Sequence, residues 1–144
     1  MSPSYSTENY FSFETQNIEI KDEGNLINAY FGKAIDKNGN FEISADNFQY
    51  FKDKGILKIN GNGFILDKKR KIEIKFDKGI IRQKKFIFEA FGKTLVEDQN
   101  ISLKVKTETL YLDYKNNILF SDTKSIIKDN FQNKLISKKF KYEI

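Results

Sequence analysis

The chain has no cysteine, no histidine and no tryptophan, and one proline among its 144 residues. Without cysteine there is no disulfide framework and no thiol nucleophile. Without histidine the commonest general base and the commonest transition-metal ligand are missing, and with them every Ser-His or Cys-His arrangement. No run of even ten consecutive apolar residues occurs, which excludes a membrane-spanning helix of about 20 residues. The opening MSPSYSTENYFSF lacks the basic and apolar regions of a signal peptide.

What is present favours strands. The apolar fraction of 39% is concentrated in 14 Phe, 7 Tyr and many Ile, residues that fit a pleated, half-buried surface. The 25 basic residues outnumber 20 acidic ones, and all but Arg70 and Arg82 are lysines spread along the chain. Dispersed lysine reads as a solvated outer face that discourages pairing at sheet edges. The one dense basic cluster, 67–71 (DKKRK), falls at an expected turn, so nucleic acid is not an expected partner.

Repetition is the strongest signal. Asp36, Asp67, Asp98 and Asp129 recur every 31 residues, and the same shift superposes Phe41 on Ile72 and Leu103, Ile43 on Ile74 and Val105, Ile56 on Ile87 and Ile118, and Asp46 on Asp77 and Glu108. Gly61 falls on Gly92 in the same register, and Ile59 on Ala90. A less regular first copy, 13–29, fits at a shift near 30, and a last copy begins at 131 and stops halfway, as in a piece of a longer chain.

Each unit reads as a hairpin. Phe41, Ile43 and Ala45 alternate with polar residues, and after Asp46 the apolar parity flips to Phe48 and Tyr50, which predicts a bulge or bend near Asp46-Asn47. Strands are expected near 41–50, 56–66, 72–81, 86–96, 101–113 and 117–127, as an all-β chain in one domain over 1–144; the stretch 125–135 is the nearest approach to a helical pattern. Stacked hairpins bury one face in a folded-over double sheet or a solenoid. Phe41, Ile43, Leu57, Ile59, Ile74, Phe76, Phe86, Phe88, Ala90, Leu103, Val105, Ile118 and Phe120 are the candidate lining of that interior. Large residues facing Ala45, Gly61, Ala90 and Gly92 are compatible with a filled core or with an open apolar groove. Paired carboxylates such as Asp46 and Asp77 could in principle act on a glycoside, but their fixed repeat position favours a role in the bend.

The segment FEISADNFQYFKDKGILKINGNGFILD, 41–67, resembles the OstA-like repeat of the lipopolysaccharide-transport family, found in LptA, LptC and the N-terminal domain of LptD. Ile43, Ala45, Asp46, Phe48, Tyr50, Leu57, Gly61, Asn62 and Asp67 occupy the pattern's positions, while the next unit departs from it at Phe76-Asp77-Lys78-Gly79. The resemblance implies a twisted β-jellyroll of two antiparallel sheets, no enzymatic activity and no cofactor or metal. It further implies a periplasmic bridge module at the outer membrane that holds lipopolysaccharide acyl chains, joins like domains end to end and has no membrane span of its own. A structural or adhesive β-repeat without lipid is the alternative.

Overall fold

The structure is a computed structural model that describes residues 11–37 and 41–144; the signal-peptide reading of 1–10 lies outside them. Alternating sequence becomes strand, with 73% of the described residues in strands and 2% in helix, so the all-β expectation holds. Seven long strands come first: β1 (Phe11–Lys21), β2 (Leu26–Asp36), β3 (Phe41–Phe51), β4 (Ile56–Asp67), β5 (Ile72–Arg82), β6 (Ile87–Asp98) and β7 (Leu103–Asp113). Four short ones follow: β8 (Ile118–Ser121), β9 (Ser125–Lys128), β10 (Lys134–Ser137) and β11 (Phe140–Glu143). The expected 117–127 strand is two strands, β8 and β9, and the stretch weighed as helical forms β9 and the start of β10.

All pairings are antiparallel and make one unclosed sheet in the order β1 to β8 and then β11, with β9 on β7 and β10 on β9. A line of register slips crosses it. The slips lie between Ser44 and Asn47, Asn60 and Gly63, Lys75 and Lys78, and Phe91 and Thr94. The first lies at the predicted bulge or bend, with the extra residue on β4: Ala45 and Asp46 face Gly61, Asn62 and Gly63. Two residues of β4, Gly61 and Asn62, face the single Asp77 of β5, and Gly92 and Lys93 of β6 face the single Glu108 of β7. These pairs carry left-handed backbone, at φ +87° and +50° in β4 and +82° and +42° in β6, a conformation glycine adopts at no steric cost and which sharpens a bend. In β3 the buried side changes from Ile43 and Ala45 to Phe48 and Tyr50 across the slip.

The first repeat is shorter at this point, which explains its odd shift. No slip separates β2 from β3, and Ala29 faces Phe48 as Ile59 faces Gly79, whereas Gly32 faces Ala45 as Gly63 faces Phe76. One residue is therefore missing between Ala29 and Gly32, and the offset passes from 30 to 31 there.

The bend divides each long strand into two arms and folds the sheet over. Phe41 opens β3 and Tyr114 follows the far end of β7, yet their rings meet edge-on at 5.2 Å. An eleven-residue strand spans roughly 35 Å, so a flat sheet would keep them apart. We call the layer containing 41–45 and 72–76 the first half-sheet, and that containing 47–51 and 56–60 the second. Between them lies the core, with Ile43, Ile65, Ile74, Val96 and Val105 from the first and Phe48, Tyr50, Leu57, Ile81, Phe88, Leu110 and Leu112 from the second. Burying each such side chain contributes about 1.5–3 kcal/mol, which offsets the entropy of ordering so many strand residues.

Candidate functional site

The candidate site is the space between the half-sheets. Phe41, Ile43, Leu57, Ile59, Ile74, Phe76, Phe88, Ala90 and Val105 are brought together in one buried apolar cluster, with Leu103 packed against it at the margin. Phe86, Ile118 and Phe120 do not belong to it. Phe86 sits in the β5–β6 turn with φ +58°, 39% exposed, its edge against Tyr114. In β8 the run Ile118-Leu119-Phe120 is apolar at every position, so alternation cannot choose a face. Pairing Leu112 with Leu119 turns Leu119 inward, and Phe120 instead stacks flat on Tyr111 on the outside, with centroids 5.0 Å apart.

The middle of the interior is filled by rings over glycines. A methyl group at Gly63 would lie 2.2 Å from the Phe76 ring, and one at Gly79 would lie 2.8 Å from both Phe76 and Phe88. These two rings meet edge-on at 5.2 Å. At the sheet edges the same apolar surface runs out into solvent. On β1, Ile18 and Ile20 oppose Ala29 and Ile27 yet are 50% and 65% exposed; on β10, Leu135 opposes Ile127 and is 61% exposed. The first overhang belongs to the second half-sheet and the other to the first.

The mouth opposite the bend is held by polar bonds. Arg70, in the turn after β4, donates from Nη1 to the buried Asp67 at 2.8 Å, from Nη2 to the Tyr114 carbonyl at 2.6 Å and from Nε to Asn117 Oδ1 at 2.8 Å. That ties the end of the first half-sheet to the turn between β7 and β8. Tyr142 of β11 donates its hydroxyl to Asp98 across the same mouth. Burial pushes the Tyr114 hydroxyl up to about 12, helped by Asp36, and the Tyr50 hydroxyl also to about 12. Burial and the Asp98 carboxylate raise Tyr142 further.

The recurring acids hold backbone. Asp36, Asp67, Asp98 and Asp129 each accept a turn N–H, from Phe41, Arg70, Asn100 and Phe131, at 2.9 to 3.0 Å. Asp46 and Asp77 lie over Gly61 and Gly92, where a methyl group would come within 2.6 Å of a carboxylate oxygen, and Asp46 also accepts from Asn62 at 3.0 Å. In sequence Arg70 is one member of a basic run at an expected turn, and only the fold brings Tyr114 to it. A search against models of known protein families and a search of curated proteins each found no match.

Proposed function

We propose that this chain is a lipid-carrying module of the OstA-like kind, a twisted β-jellyroll that holds lipopolysaccharide acyl chains between its half-sheets and passes them along a periplasmic bridge to the outer membrane. The observation that carries this reading is the continuous inward apolar surface that emerges, uncovered, at both edges through Ile18, Ile20 and Leu135. A methylene kept from water there contributes about 0.8 kcal/mol, and a surface of uniform aliphatic and aromatic side chains offers no deep local minimum, so a chain slides along it cheaply. The outer edges of β1 and β10, unpaired among the described residues, are templates for strand addition, and like modules join there end to end. Acyl chains reach the interior by the mouth, which Arg70 and Tyr142 bridge with polar bonds. The module does no covalent chemistry and takes no cofactor.

One observation favours the alternative, a structural β-repeat without lipid: the Phe76 ring occupies the space over Gly63 and Gly79. Photo-crosslinking with lipopolysaccharide separates the two. A photo-reactive residue at Ile43, Ile59 or Leu103 should give lipid adducts, and at Glu42 or Lys104 few; Arg70→Ala should raise the inward yield by loosening the mouth. No adducts at any inward position, with or without that substitution, would leave the structural repeat as the better reading.

A further inference from the structure

The outward face of the first half-sheet differs in charge between its two ends. Toward β2–β4, Lys33 and Lys68 both close on Glu42, at 2.6 and 3.0 Å. Toward β6–β10, Lys93, Lys104, Lys106, Lys124, Lys128 and Lys134 are all exposed, and none forms an ion pair among the described residues. The carboxylates nearby are Glu73, Glu97, Glu108 and Asp129; Glu97 lies directly opposite Lys104, Glu108 accepts the Lys93 backbone N–H at 2.8 Å, Glu73 the Gln99 amide, and Asp129 the turn N–H groups of Phe131 and Asn133.

The register sharpens this. Lys104 lies opposite Lys128 and Lys128 opposite Lys134, so three cations stand in one row across β7, β9 and β10. Like charges directly opposite each other destabilise a sheet. Lysine on an edge strand discourages unwanted pairing, which accounts for Lys134 on β10. It does not account for Lys106 and Lys128, whose strands are paired on both sides, and of the two partners of Lys104 only Glu97 complements its charge. The adjacent row runs Leu95, Lys106, Ile126, Ile136. Clefts of about 330 Å³ and 510 Å³ open among these side chains, sharing Leu95, Lys106 and Ile126. Ile136 is 60% exposed, and Phe131, in the turn between β9 and β10, is 80% exposed.

We propose that this face docks on a bilayer surface containing anionic phospholipid. The lysines meet lipid phosphates, and Ile136 and Phe131 enter the boundary between headgroups and acyl chains. Aliphatic side chains between the lysines do not stack on bases, and both arginines lie elsewhere, Arg70 at the mouth and Arg82 paired with Glu89 at 2.7 Å; nucleic acid fits this face less well. The inference uses the outer surface only and is independent of what occupies the interior.

Co-sedimentation of the full chain with phosphatidylcholine vesicles, with and without one-third phosphatidylglycerol, tests it, and no glycolipid is needed. Binding should require phosphatidylglycerol and weaken steeply with salt. Because each lysine near such a surface is worth about fivefold in affinity, Lys104→Ser/Lys106→Ser/Lys128→Ser should weaken binding about a hundredfold. Lys52→Ser/Lys54→Ser/Lys85→Ser, which removes the same net charge from turns of the second half-sheet, should change it less than threefold. Ile136→Ser/Phe131→Ser should lower binding at high salt as much as at low salt. Equal binding to neutral vesicles, equal loss in the two lysine triples, or single-stranded DNA bound more tightly than the vesicles would each overturn the proposal.

Discussion

The sheet makes the same bend with two chemistries. In the middle repeats, glycine creates room that something else fills: Asp46 and Asp77 settle over Gly61 and Gly92 on the outside, and the Phe76 ring settles over Gly63 and Gly79 on the inside. In the last repeat the inner row holds Thr94, Thr107 and Ser125 instead. There Thr107 Oγ1 lies 3.0 Å from Ser121 Oγ, 2.9 Å from Thr123 Oγ1 and 3.1 Å from Ser125 Oγ, a small hydroxyl network between β7 and the split pair β8 and β9. The glycine corner keeps β4 and β6 continuous through the bend, while the hydroxyl corner breaks the corresponding strand in two. A bend thus needs either a residue that tolerates positive φ or a local network able to satisfy backbone groups where pairing lapses.

Exchanging the inner residues should break this comparison most severely. Gly63→Thr, which installs the residue of the last corner, drives side-chain atoms into the buried Phe76 ring. A loss of about 3 kcal/mol is expected in urea denaturation. Thr107→Val keeps the shape but leaves Ser121, Thr123 and Ser125 short of a partner, for a loss of about 1–3 kcal/mol. The triple change Thr107→Val/Ser121→Ala/Ser125→Ala should cost clearly less than the sum of its parts, because the network's members are then removed together.

On the outer side of the bend, Gly92→Ala should cost about 1–2 kcal/mol through both φ strain and the Asp77 carboxylate. In an Asp77→Ala background the carboxylate is gone while the φ strain and the contact with the Cβ at 3.0 Å remain, so a double-mutant cycle should give a coupling of about 0.5–1 kcal/mol. A cycle showing strict additivity would mean that the carboxylate moves aside freely.

The smallest effect is invisible at neutral pH. Tyr50 and Tyr114 ionise near 12 in the fold and near 10 when unfolded, so the folded state retains protons that the unfolded state releases between those values. Their contribution is intact below pH 10 and falls as pH rises toward 12. Melting temperature should therefore decline over that range, and Tyr114→Phe should make the decline shallower. No such flattening would place the alkaline loss elsewhere.

Much of this architecture was legible because its signals are local. Alternation in β3 to β7 and the absence of internal proline identify the strands, and the parity flip after Asp46 locates the bend. In β8 the same reasoning had nothing to work with, since Ile118, Leu119 and Phe120 are equally apolar and the register against Leu112 decides which one is buried.

By itself, then, the sequence determined the strand period, the hairpin turns and the 31-residue register, all of which depend on residues within a few positions of one another or on their regular recurrence. Only the tertiary structure decided that Arg70 would reach Tyr114, that Phe76 would close over two glycines, and that lysines scattered along the chain would gather at one end of one face. Those outcomes depend on which arms the bend brings opposite each other. One extra residue in a strand changes that pairing, while leaving the alternation on either side intact.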